Sequence, residues 1–138
     1  MSVVSVLVGS IRTGRQGLKV ANYVAKQLEK RGHKVHIIDP LVYPSLNQFQ
    51  ERFRFIQNPN EDLVQVQKML DESDSFIGVT PEYNYAASPA ILQTMDVFFN
   101  EFKFKPMGIV GYLRIFLCDL FSLDIRWVLL LVFVLSSP

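Results

Sequence analysis

Two hydrophobic periods alternate along this chain, and that alternation is what most limits its fold. Val3–Val8 is a short β-branched run, Val-Val-Ser-Val-Leu-Val, that stops at Gly9. After a polar stretch, Leu18, Ala21, Val24 or Ala25, and Leu28 recur at helical spacing, and Gly32 follows as a stop. Lys34-Val-His-Ile-Ile38 reads as a second strand, closed by Asp39-Pro40. Residues 41–59, polar and aromatic, read mostly as loop. Asn60 stands where it can cap a helix carrying Leu63, Val66 and Leu70, with Glu61 and Asp62 favourable in its first turn. Residues 75–80 make a third strand that Pro81 stops, and Ser88-Pro89 opens a helix in the order cap, then proline. Ile91, Met95, Phe98 and Phe102 give that helix one apolar stripe, and residues 107–112 form a fourth strand.

Strand and helix in strict alternation define a parallel sheet covered by helices on both faces. Crossover handedness is effectively fixed, so the economical topology is an open, doubly wound, three-layer α/β/α sheet. Ligands in such folds sit at the carboxyl ends of the strands. The loops after Val8, Ile38, Thr80 and Tyr112 are therefore the ones that matter.

With 138 residues the chain has material for one domain. A formal charge of +1 gives no electrostatic footprint for nucleic acid. The single cysteine, Cys118, excludes an internal disulfide framework and a Cys-based zinc site. It also favours a reducing compartment, the cytoplasm. The opening Met1-Ser2-Val3-Val4 lacks the basic and apolar regions of a signal peptide. His33 and His36 are too few for a metal site and read as structural or solvated.

Composition changes near Pro106. Residues 107–138 hold only four charges, Arg114, Asp119, Asp124 and Arg126. The unbroken apolar run from Trp127 to Leu135 is half of the roughly 18 residues a membrane helix needs, so no membrane span is expected. Residues 128–134 instead read as a strand buried on both faces. Residues 113–124 can form a short helix before it, with Ile115, Phe116, Leu120 and Leu123 for packing. The expected division is a core over 1–112 and a divergent apolar segment over 113–138, whose exposed apolar surface would drive self-association.

The loop Gly9-Ser-Ile-Arg-Thr-Gly-Arg-Gln-Gly17 bridges the first strand and helix. It fails the dinucleotide fingerprint, because position 11 is isoleucine. It also fails the nucleotide P-loop, because Arg15-Gln16 replaces the Lys-Ser/Thr pair that handles magnesium and phosphate. What remains is an anion cradle of backbone N–H groups, the Ser10 hydroxyl and the Arg12 and Arg15 guanidiniums. A single terminal phosphate suits it better than a triphosphate. The plain alternative is a polar connection with two solvated arginines.

Pro81-Glu-Tyr-Asn-Tyr85 leaves the third strand at the same sheet end. Tyr83 and Tyr85 offer flat apolar faces, and Glu82 and Asn84 offer polar edges. A planar heterocycle needs that combination. Local packing of the loop on itself is the alternative.

Taken together, Gly9-Ser10-Ile11-Arg12 with Gly14-Arg15, then Pro81-Glu82-Tyr83-Asn84, then Met95-Asp96 resemble the NADPH-dependent FMN reductase family, a flavodoxin-like group that includes quinone and azo reductases. The resemblance runs from Met1 to about Tyr112. It implies that Ser10, Arg12 and Arg15 hold the FMN phosphate, that Pro81 to Asn84 line the isoalloxazine, and that Tyr112 begins a third flavin loop. It implies NADPH or NADH as reductant, a quinone, azo compound or free flavin as small-molecule electron acceptor, and a homodimer. Family members continue with a glycine-rich loop, whereas no glycine occurs here after Gly111. The tail reads as a divergent end, a splice variant or a misread frame. Two rival readings stay open: a flavodoxin-like remnant that does not retain flavin, and a nucleotide-binding switch built on residues 9–17. Glu82 receives no acid–base role, and Cys118 reads as a buried inert thiol.

Overall fold

The computed structural model describes residues 1–114 and 126–133. In chain order the elements are β1 (Val3–Val8), α1 (Gly17–Glu29), β2 (Lys34–Ile38), α2 (Glu61–Glu72), β3 (Ser75–Pro81), α3 (Pro89–Val97), β4 (Met107–Arg114) and β5 (Arg126–Phe133). Two short 3-10 turns, Pro44–Asn47 and Phe53–Phe55, break up the loop between β2 and α2. The strands form one sheet in the order β2-β1-β3-β4-β5. Pairing is parallel across the first four strands. This is the flavodoxin-like doubly wound arrangement that the alternating periods lead one to expect.

Strand alternation divides the core between the two sheet faces. Val6 and Val8 of β1, with Val79 and Val110, pack against Ala21, Leu18, Val24 and Leu28 of α1. Leu7 points to the other face, where it joins Leu63, Val66 and Leu70 of α2 and Val97, Phe98 and Phe102 around α3. Successive side chains of one strand thus feed both layers.

Several elements depart from sequence expectation in informative ways. The apolar stripe through Phe102 outlasts its helix, since α3 ends at Val97 and residues 98–104 are turns. Phe98 and Phe102 stay buried all the same. Asn60 and Ser88 both occupy N-cap positions without making the side-chain cap bond. The Asn60 amide donates instead to Ser45 Oγ at 2.9 Å, tying down the first 3-10 turn. His33 and His36 are hydrogen-bonded to Ser2 and Glu72.

β5 runs antiparallel to β4, from Met107 opposite Phe133 to Arg114 opposite Arg126. Only residues 115–125 separate the two strands. A parallel return needs a crossover of about a dozen residues or more, usually helical, so a reversal suits the shorter connection. Leu113 and Arg114, expected to open a helix, belong to β4. The remainder of that expected helix, Cys118 and Val134 lie outside the described residues.

Candidate functional site

The carboxyl ends of β1, β3 and β4 meet at one edge of the sheet. Gly9 N–H donates to the Val79 carbonyl at 2.8 Å, carrying the chain straight from β1 into its loop beside β3. Pro81 stands opposite Tyr112 in register, and Glu82 N–H donates to the Tyr112 carbonyl at 3.3 Å. Thr80 Oγ1 accepts from the Ser88 N–H at 3.0 Å, anchoring the start of α3 to the end of β3.

Around the first loop the packing is close. Ser10 is buried, and its Oγ has no hydrogen-bond partner. A Cβ placed on Gly17 would lie 2.2 Å from that Oγ and 2.5 Å from the Tyr112 hydroxyl. Only glycine therefore leaves room for the two hydroxyls at the head of α1. Burial pushes the half-buried Tyr112 hydroxyl's pKa up, with the nearby Ser10 hydroxyl pulling the other way. Ser88 Oγ is likewise buried without a partner, 2.7 Å from where a Gly9 side chain would start.

The two arginines of the loop differ. Arg12 is exposed and lies with Cζ 3.8 Å from the centroid of the half-buried Tyr83 ring. At that distance cation–π attraction joins the loops after β1 and β3. Arg15 turns the other way, donating from Nη1 to the Ser10 carbonyl at 2.7 Å and pairing through both terminal nitrogens with Asp39 at 2.6 Å. The Asp39 hydrogen bond raises the Arg15 pKa. Burial opposes ionisation of Asp39, but bonds from Arg15 and the Leu41 N–H, with the charge of Arg15, hold its carboxyl below the ordinary range.

The second loop is a tight reversal. Tyr83 and Ala86 exchange both backbone hydrogen bonds, and Asn84 and Tyr85 between them have φ of 53° and 61°. Two positive φ values in a two-residue connection mark a type I′ turn. The Glu82 carboxylate accepts the Tyr85 N–H inside this turn. Asn84 and Tyr85 project into solvent.

Of the residues singled out in the sequence, Ser10, Arg12, Pro81, Tyr83 and Tyr112 thus converge on one sheet edge. Glu82 is held within its own turn, Asn84 faces outward, and Arg15 is engaged with Asp39. The sequence reading did not single out Asp39, Gly17 or Ser88 as part of the site. Asp39 directly follows Ile38, one of the strand ends already marked for attention.

A parallel sheet whose first-strand loop, bearing two arginines, meets its third-strand loop, bearing two tyrosines, at the strands' carboxyl ends defines a flavodoxin-like α/β fold. The chain belongs to the NADPH-dependent FMN reductase family, whose profile matches residues 1–115. Among solved structures it is similar to the flavoenzyme NAD(P)H:(acceptor) oxidoreductase FerB from Paracoccus denitrificans, at 22% identity and a TM-score of 0.64 over 80% of this chain. It is also similar to an oxidoreductase from Corynebacterium diphtheriae, at 14% identity and a TM-score of 0.60 over 80% of this chain. A third likeness is the apo form of the NADH:FMN oxidoreductase EMOB, at 16% identity and a TM-score of 0.55 over 71% of this chain. At such identities these likenesses speak for the fold. The chain spans 60%, 63% and 50% of those three proteins respectively. None of the curated proteins matches it.

Proposed function

We propose that this chain is a flavin-dependent oxidoreductase that binds FMN at the shared edge of β1, β3 and β4, takes reducing equivalents from NADPH or NADH, and delivers them to a quinone, azo compound or free flavin. The observation that carries the reading is the Arg12–Tyr83 stacking at 3.8 Å, which puts an anion-binding arm and an aromatic wall in one place. FMN, when bound, supplies hydride and electron-transfer chemistry that amino-acid side chains lack.

The residues present fit that group. A buried hydroxyl without a partner is costly unless something completes it, and Ser10 Oγ is such a group, since the Tyr112 hydroxyl stands near it without a well-formed hydrogen bond. In this reading Ser10 and Arg12 take the phosphate, and Arg15 shapes the loop beneath them through the Ser10 carbonyl. Pro81, Glu82, Tyr83 and Asn84 form the wall for the ring system, and Tyr112 closes its inner end. The flavin core occupies residues 1–112, with 113–138 as a divergent segment. The single cysteine supports a cytoplasmic setting, and family membership supports a homodimer.

Purified protein incubated with FMN and then desalted should retain the flavin with quenched fluorescence, and should oxidise NADPH or NADH when an acceptor is added. Complete loss of flavin from folded protein overturns the enzyme reading. It would favour the alternative of a flavodoxin-like remnant, which the antiparallel β5 supports.

A further inference from the structure

Two arginines share the loop after β1 but not the same duty. Arg12 is exposed and makes no ion pair among the described residues. Arg15 is fastened fork to fork onto Asp39, at 2.6 Å on each arm, and its Nη1 also holds the Ser10 carbonyl at 2.7 Å. Asp39 is 3% exposed and accepts the Leu41 N–H at 3.0 Å as well. The sheet makes this meeting inevitable. Leu7 pairs with Ile38, so the residue after β2 lies beside the loop that leaves β1.

We propose that Asp39 is a positioning residue that sets ligand specificity: by occupying Arg15 it leaves the anion loop one free cation, so the loop takes a lone terminal phosphate and rejects a pyrophosphate. The proposal rests on the reading that this loop holds a phosphate. A bidentate arginine–carboxylate pair is among the strongest side-chain interactions, and it consumes the donors a second phosphoryl group would need. Separating a buried pair leaves an uncompensated charge behind, so Arg15 is not lent to a passing ligand. Arg12 is then the one guanidinium that meets the anion.

The test compares the full chain with Asp39→Asn, titrated calorimetrically with inorganic phosphate, inorganic pyrophosphate, FMN and riboflavin. Freeing Arg15 should raise pyrophosphate affinity about tenfold or more, the worth of one charge-assisted bond, with a smaller gain for phosphate. A folded Asp39→Asn protein with an unchanged pyrophosphate-to-phosphate ratio overturns the proposal. Should that variant not fold, Arg15→Gln decides from the other side. Its preference for FMN over riboflavin should fall by no more than a few-fold, because Arg15 acts on the phosphate only through the Ser10 carbonyl it holds, against the tenfold or more expected of a direct phosphate contact. A tenfold loss of that preference puts Arg15 on the phosphate and overturns the proposal. The parent protein separates the two readings. FMN retention with no role for Asp39 leaves the flavin reading standing and sinks this one. Phosphate selectivity that depends on Asp39 without FMN retention does the reverse, and a loop that takes neither anion nor flavin sinks both.

Discussion

Arg12 lies across the face of Tyr83, 3.8 Å from the ring centre, although the two residues belong to different loops on different strands. This contact locks together the two halves of the candidate site, and it is the first place to probe.

Arg12→Ala should weaken FMN by tenfold to a hundredfold while changing riboflavin much less. Only FMN carries the phosphate, and a charge-assisted hydrogen bond is worth roughly 1.5–3 kcal/mol. Paired titrations of the two flavins measure it. Equal losses for both would place Arg12 in folding rather than in phosphate binding.

Gly17→Ala should spare the fold and spoil the site. Gly17 is the first residue of α1, where alanine has less than its interior advantage of about 1 kcal/mol, so only a small part of the overpacking cost of roughly 1–3 kcal/mol is offset. The new methyl would sit 2.2 Å from Ser10 Oγ and 2.5 Å from the Tyr112 hydroxyl. Thermal melts should fall by several degrees at most, with a folded protein remaining, while FMN retention is lost. Retention equal to the parent would show that these hydroxyls do not border the cofactor.

Acid should weaken the fold through Asp39. The unfolded carboxyl titrates near 3.8 and the folded one lower. The stabilisation is therefore complete above the unfolded value and is lost as pH falls through the folded value. Removing one partner of a largely buried pair costs about 3 kcal/mol. Asp39→Asn should therefore be less stable at neutral pH and show a flatter decline in acid. Urea unfolding at stepped pH gives both, and parallel curves for the two proteins would rule this pair out as a source of acid sensitivity.

Tyr85→Gly should stabilise the chain. A non-glycine residue held at positive φ costs on the order of 1 kcal/mol, and Asn-Gly is the preferred pair for a type I′ turn. Tyr85 is fully exposed, so little packing is lost. A lower melting temperature would mean that the tyrosine is held by contacts beyond its own turn.

A chain ending at Ser122 should be less stable than the full one and should aggregate. It loses β5, which pairs with β4 along all eight of its residues. An apolar strand left as an unpaired edge recruits other chains. Sedimentation of both forms decides between this outcome and the opposite one, in which the tail itself drives self-association.

Most of the sheet was legible because Val3–Val8, residues 75–80 and residues 107–112 are apolar blocks punctuated by glycine or proline. Blocks this short, bounded by glycine or proline, suit strands covered on both faces. The direction of β5 was not legible, because an apolar block is indifferent to the direction in which it pairs. Loop chemistry marked Ser10, Arg12 and Tyr83, yet the side-chain partner of Arg15 could not be read from it. Asp39 is 24 residues away along the chain, and only the register of β1 with β2 makes the two neighbours. Ser88 looked like an ordinary helix cap. Its hydroxyl instead abuts Gly9, a relation that depends on the packing of α3 against the sheet.

Gly9 has a wider consequence. A methyl group there would strike Ser88 Oγ, the Val79 carbonyl and Ile91 Cδ1, all within 2.9 Å. The hinge of the first loop is thus wedged between a strand and the root of α3, with no slack on either side. Any ligand that tightens the loop must also steady α3, and any blow to α3 must unsettle the loop. The first loop and the root of α3 behave as one mechanical part.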